Sequence, residues 1–261
     1  MKTFTFCLLL SVCVCSVVLN SANAADLAVV DFADQWTQVD ALRQTLDQFK
    51  VEYDDLTPDI EGGTLTFSPD HKFFFIGSMT TNNATLHQNL DKNAAAIQDF
   101  VRNGGVVLEP TQADQNEANV DWLPDGLICV RSDPDKQVVE ILDEDHPLFN
   151  TPNQMRVKEF TGWGHQGWPT VWEVISTQRG FEVLMEDSDG LPVIMEAEFG
   201  DGKFVMMALA PDKYTIAGND GNTKEMASQF MENILETYLF STLPVEAKGK
   251  LTTTWGQVKS Q

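Results

Sequence analysis

Residues 90–109 read LDKNAAAIQDFVRNGGVVLE, and this stretch decides the fold class. Leu90, Ala94, Ile97 and Val101 recur at helical spacing on one face, while Asp91, Lys92, Gln98 and Arg102 lie largely off it. Gly104 offers the left-handed residue that ends such a helix, and Val106-Val107-Leu108 follows without a polar break. A helix passing at once into a short, continuously apolar strand predicts an α/β protein with a mainly parallel sheet. In such sheets ligands gather beyond the carboxyl ends of the strands. The loop at that place begins Glu109-Pro110-Thr111-Gln112-Ala113-Asp114, without cysteine, serine or histidine, so Glu109 and Thr111 are its candidate polar groups.

The flanking sequence repeats the alternation. Leu27 to Phe32 predicts a first strand, and a helix from about Gln38 carries Val39, Leu42, Leu46 and Phe49 on one face. Val51-Glu52-Tyr53 begins a second strand, and Phe73 to Ile76 forms a third that ends at Gly77-Ser78. Leu127 to Val130 reads as another core strand, and Val138 to Leu142 as a strand or a short helix. An irregular stretch from Asp145 to Trp172 is rich in Gly, Pro and Trp. Phe181 to Met185 and Pro192 to Glu198 are β segments around a turn at Asp187-Ser188-Asp189-Gly190. Gly200-Asp201-Gly202 then turns the chain into Lys203 to Leu209, giving a late β-hairpin. In the last helix Asn222 and Glu225 have capping-box spacing, and Met226, Phe230, Ile234 and Tyr238 share a face.

The ends differ from this body. Lys2, an apolar run from Phe4 to Leu19 and the small residues Ala22-Asn23-Ala24 predict a secretory signal peptide over residues 1–24 and an exported protein, periplasmic or extracellular. Cys13 and Cys15 raise a lipoprotein alternative, disfavoured by the bulky Val12 and Val14 before them. Residues 25–240 then form one α/β domain, and 241–261 a tail in which Lys248, Lys250 and Lys259 stand against a single Glu246. Of the four cysteines only Cys129 lies beyond the signal, which leaves no intramolecular disulfide; it reads as a core thiol. A net charge of −22 argues against nucleic acid and anionic membrane surfaces as partners. No segment after the signal is long and apolar enough to span a bilayer.

Three short motifs resemble the class I glutamine amidotransferase-like superfamily, and within it the ThuA-like (trehalose-utilisation-like) proteins. They are Phe100 to Leu108, His146-Pro147-Leu148-Phe149, and Pro192-Val193-Ile194 through Phe199-Gly200-Asp201-Gly202-Lys203-Phe204-Val205; Arg156 to Phe160 is similar to a strand after the His-Pro element. The resemblance spans roughly Leu27 to Leu239 and implies a flavodoxin-like three-layer sandwich. A working amidotransferase needs a cysteine thiolate on the turn after a central strand and a late histidine to activate it. Here only Thr111 carries a hydroxyl on that turn, and no histidine follows His165, so the resemblance does not extend to amidotransferase chemistry.

The remaining candidates are polar and aromatic. Trp163 to Trp172 places indoles around His165 on a glycine-rich loop, and Trp163 with Trp168 could stack on a sugar ring while His165, Glu109 and Thr111 orient its hydroxyls. The plainer reading is that these tryptophans close one end of the core. His146 follows Asp143-Glu144-Asp145, a set that could ligate a metal but is more simply a solvated turn. Asp187-Ser188-Asp189-Gly190 lacks the full ligand set of a calcium loop. The expectation is therefore an exported, non-catalytic domain that binds a carbohydrate or small polar ligand, without metal or cofactor. Its alternatives are a carbohydrate-active hydrolase using Glu109 and Glu159 as acid and base, and a scaffold acting through its tail on a surface partner.

Overall fold

The computed structural model describes residues 25–35, 37–110, 120–136, 138–164, 172–219 and 221–242. The strands are β1 (Leu27–Val30), β2 (Asp54–Asp55), β3 (Phe73–Ile76), β4 (Val106–Pro110), β5 (Ile128–Lys136), β6 (Val139–Ile141), β7 (Trp172–Arg179), β8 (Glu182–Asp187), β9 (Pro192–Phe199) and β10 (Gly202–Met207). The helices are α1 (Ala41–Phe49), α2 (Thr57–Glu61), α3 (Ala84–Lys92), α4 (Ala94–Arg102), α5 (Val157–Phe160), α6 (Pro211–Ala217) and α7 (Thr223–Tyr238).

Eight strands form one sheet in the order β2-β1-β3-β4-β10-β9-β8-β6, and β5 pairs with β7 in a separate antiparallel ribbon. From β2 to β10 every pairing is parallel; β9, β8 and β6 add antiparallel neighbours, so the late hairpin closes the parallel half. The central strands are buried on both faces, which is why they read as unbroken apolar runs rather than alternating ones. One face packs Val29, Phe75, Leu108 and Val205 against Leu42 and Leu46 of α1 and Phe230 and Ile234 of α7. The other packs Val30, Phe74, Val107 and Phe204 against Ile60 of α2, Leu90 of α3, and Ile97 and Val101 of α4, with Cys129 and Ile175 of the ribbon beside them. The protein is thus a mixed α/β structure with helices on both faces of its sheet.

Two glycines are needed where the chain turns or closes up. Gly104, at φ +98°, ends α4 in the left-handed region. Gly202 starts β10 against the end of α4; a Cβ there would lie 2.1 Å from the Gly105 carbonyl oxygen and 2.2 Å from that of Val101.

Several local expectations need correction. The helix running through Leu90 to Val101 is two helices, broken at Asn93, whose side chain instead donates to the Asn89 carbonyl at 2.7 Å and accepts from Leu65 N–H at 3.1 Å. The second strand lies at Asp54–Asp55, just beyond Val51-Glu52-Tyr53. Arg156 to Phe160, expected as a strand, turns into α5 because Glu159 reaches back to the Arg156 N–H at 2.9 Å and starts a helical turn. Asn222 does precede α7, but its side chain makes no capping hydrogen bond. The signal segment and the tail from residue 243 lie outside the described residues.

Candidate functional site

The buried ionisable groups concentrate where the strands end. Beyond β1 stand Asp31 and Asp34; beyond β3, Ser78; near the end of β4, Glu109; beyond β10, Asp212 and Lys213, all buried. Glu173, at the start of β7, is anchored there through its N–H to the Ala208 carbonyl at 3.0 Å, and its carboxylate pairs with the buried Arg131. The carboxyl edge of the sheet therefore gathers charge that a purely structural core would leave in water.

The Asp31 group lies between the adjacent strands β1 and β3. Its carboxylate accepts from the N–H groups of Phe32 at 2.8 Å and Arg43 at 3.1 Å, and packs so close to Gly77 that a Cβ there would meet Oδ1 at 2.6 Å. Ser78 donates its N–H to Asp212 at 3.0 Å and its hydroxyl to the other oxygen of the same carboxylate. The Lys213 ammonium lies 3.1 Å from Asp34 and donates to the carbonyls of Phe32 at 2.7 Å and Val39 at 2.6 Å. Burial pushes the Asp31 carboxyl up to about 6, with Lys213 opposing and Asp212 adding to the rise. Burial likewise raises Asp212 against the pull of Lys213 and Ser78. At Asp34 burial also acts upward, but Lys213 and Thr37 together outweigh it and hold that carboxyl below its ordinary value. One ammonium thus serves several carboxylates, and burial makes Asp31 and Asp212 easier to protonate than Asp34.

Glu109 is different in kind. It is 1% exposed, its Oε2 has no hydrogen-bond partner among the described residues, and burial, aided by the charge of Asp91, pushes its carboxyl up to about 8. At neutral pH it is a carboxylic acid that can donate a proton or a hydrogen bond. The Cys129 thiol on the same face is raised well above its usual value by burial and by Glu109, so it is protonated and makes a poor nucleophile.

The aromatic and acid–base expectations fare unevenly. Trp163 is 1% exposed; its indole N–H donates to the Glu159 carbonyl at 2.6 Å and its ring packs with Phe160, Tyr214 and Phe230. It offers no open face for a sugar, which corrects its expected stacking role. Thr111, His165 and Trp168 lie outside the described residues. Glu109 points to the face that holds Cys129 and Val107, whereas Glu159 sits on α5, packed against the opposite face through Phe160. The sheet separates them, so they do not form the expected acid–base pair. Glu159 is occupied by the Arg156 N–H and by Lys158 at 3.2 Å.

His146 accepts from the Leu148 N–H at Nδ1, 3.2 Å, which leaves Nε2 to donate to Glu196 at 2.7 Å. Asp143 holds its own turn through the Asp145 N–H at 3.1 Å. Among the described residues no group of three metal-ligating side chains converges. Asp187 accepts from the N–H groups of Asp189 and Leu191, each at 2.9 Å, which makes its loop a turn.

Asp31, Ser78, Asp212 and Lys213 were missed by sequence reasoning. The signal was present, since each stands after an apolar strand, but nothing in the local sequence says that these residues lose contact with water.

No protein-family model matches the chain, and no curated protein matches it. Solved structures do. The cytoplasmic protein STM1381 of Salmonella typhimurium LT2 is similar over 81% of this chain and 98% of its own, at 15% identity and a TM-score of 0.50. That likeness shows the fold. A β-galactosidase from Bacillus circulans sp. alkalophilus matches 81% of this chain at 15% identity and TM-score 0.44, with 31% of its own chain covered. One from Rahnella sp. R3 matches 84% at 13% identity and TM-score 0.48, with 32% covered. The chain spans about a third of the length of these two enzymes. No helix among the described residues is long and apolar enough to cross a membrane.

Proposed function

We infer that this chain is an exported α/β domain of the amidotransferase-like superfamily, without amidotransferase chemistry, that binds a carbohydrate or small polar ligand beyond the carboxyl edge of its sheet. The observation that carries this reading is the group of buried Asp31, Asp34, Glu109, Asp212 and Lys213 gathered at that edge, around β1, β3, β4 and β10. A fold keeps costly buried charge where function needs it, and ligands of parallel sheets bind at this edge, where neighbouring strands connect in opposite directions. The parallel half supports the flavodoxin-like assignment, since its order β2-β1-β3-β4-β10 follows the 2-1-3-4-5 pattern and puts that point between β1 and β3, at Asp31 and Ser78. The ligand's hydroxyls would meet Asp31 and the Ser78–Asp212 pair.

Thermal unfolding of the purified chain against galactose, mannose, trehalose and glycerol tests it. A ligand at a hundred times its dissociation constant should add about 2.7 kcal/mol of stability. The expected result is a shift with at least one sugar that disappears in Asp31→Asn; a shift that persists in that variant, or none with any compound, refutes the edge as the site.

The proton retained by Glu109 also favours a second reading, a carbohydrate-active hydrolase with Glu109 as general acid. Turnover of nitrophenyl glycosides that falls above pH 8 and vanishes in Glu109→Gln would establish it; absence of turnover leaves the binding reading in place.

A further inference from the structure

The opposite edge of the sheet holds a cavity of about 440 Å³, within the size range of small-molecule sites. It opens at the amino ends of β4 and β10, lined by Val106, Gly202 and Lys203, by His146 and Pro147, and by the last turn of α7 at Glu236, Thr237 and Tyr238. Behind its lining, His146 and Lys203 share one buried carboxylate. Glu196 accepts from His146 Nε2 at 2.7 Å on one oxygen and pairs with the Lys203 ammonium on the other, and Lys203 also reaches Glu198 at 3.3 Å. Burial would raise Glu196, but His146 and Lys203 together hold it below its ordinary value, so it remains ionised.

Two features of this cavity are unspent. Among the described residues the Tyr238 hydroxyl, in a residue 3% exposed, has no hydrogen-bond partner although it lies in the field of Glu196, and the buried Thr237 hydroxyl also has none. A buried, unpaired hydroxyl is costly, and a ligand atom would recover that cost. The charge is also lopsided. Lys203 is matched by Glu196, while the lining adds Glu198, Asp201 and Glu236 and, among the described residues, no second lysine or arginine.

We propose that this amino-edge cavity binds a small organic ammonium compound, an aliphatic amine or an amino sugar. Its N–H groups are received by the Asp201 and Glu236 carboxylates and by the Tyr238 hydroxyl oxygen. An inorganic anion is disfavoured by the three acidic side chains, and an uncharged sugar would leave their charge unanswered. The site is independent of the carboxyl edge, from which the sheet separates it.

The test is isothermal titration calorimetry of the full purified chain with putrescine and with glucosamine, and with glucose as the uncharged control. Binding of at least one amine at low millimolar concentration or tighter, with none of glucose, is expected. Tyr238→Phe, which keeps the ring packed on Phe73, and Asp201→Asn with Glu236→Gln should each weaken binding about tenfold, the scale of one charge-assisted hydrogen bond. Circular dichroism and unfolding midpoints show whether the variants remain folded. The proposal is overturned if neither amine binds, if glucose binds as well as glucosamine, or if folded variants bind as wild type does. Amine binding that is lost in Asp31→Asn but not in Tyr238→Phe would assign it to the carboxyl edge and overturn this site alone.

Discussion

The Lys213 ammonium lies 3.1 Å from the Asp34 carboxylate, and both side chains are almost wholly removed from water. Because the same ammonium donates to the carbonyls of Phe32 and Val39, the start of α6 is tied to the loop between β1 and α1 by one buried cation. Lys213→Met should remove the ammonium beside Asp34 and the charge that opposes burial at Asp31 and Asp212. Removing one member of a buried pair costs about 3–5 kcal/mol, so urea unfolding should show a loss of that order at neutral pH. A change below 1 kcal/mol would mean the cluster is solvated in solution.

Glu109 makes a pH prediction of definite sign. Its carboxyl ordinarily releases a proton near 4.5, and in the folded chain it holds the proton to about 8. The folded state therefore binds more protons across that window, and its stability falls as the pH rises through it, by at most about 1.4 kcal/mol per pH unit. Asp31 acts in the same direction but is finished near pH 6. Unfolding free energies at pH 6, 7 and 8 should thus decline for wild type and run much flatter for Glu109→Gln. Parallel profiles would show that the Glu109 carboxylate finds a charge partner in solution.

Trp163→Ala should behave as a core truncation. The indole is packed among Phe160, Tyr214 and Phe230, and emptying such a site costs about 3–5 kcal/mol. Trp163→Phe should lose less, since an aromatic ring still fills part of the site although the N–H bond to Glu159 disappears. If Trp163→Ala unfolds at the wild-type midpoint but loses sugar binding, the indole is a ligand platform after all.

Asn233 holds the segment after Pro147 onto α7. Its amide donates to the carbonyls of Leu148 at 2.9 Å and Asn153 at 2.8 Å and accepts from the Asn153 N–H at 2.9 Å. Asn233→Leu leaves three backbone groups without this partner, and a loss of about 2–4 kcal/mol is expected in thermal unfolding, from unsatisfied groups at about 1–3 kcal/mol each. Asn233→Asp, which sets a buried carboxylate oxygen against the two carbonyls, should lose at least as much; a midpoint near wild type would show that these hydrogen bonds carry little.

The fold was legible to the extent that local patterns carry it. Val106-Val107-Leu108 and Phe73 to Ile76 announced strands buried on both faces, and Gly104 marked the end of the helix before the first of them. The break at Asn93 escaped because the apolar spacing continues across it, while the Asn93 side chain itself takes the Asn89 carbonyl and the distant Leu65 N–H. Arg156 to Phe160 escaped because four residues hold too little periodicity to outweigh a family resemblance.

The candidate site was legible in only one member. Glu109 stands out as an acid ending an apolar strand, but Ser78 and Asp212 are 134 residues apart in the chain and meet only through the pairing of β3, β4 and β10. The sequence by itself determined the layers, since period and apolar content depend on near neighbours. Only the tertiary structure decided which acids lose water and which find a cation. Desolvation and charge pairing depend on distance in space, and for Glu109 and Glu159 it was the sheet between them that settled their separation.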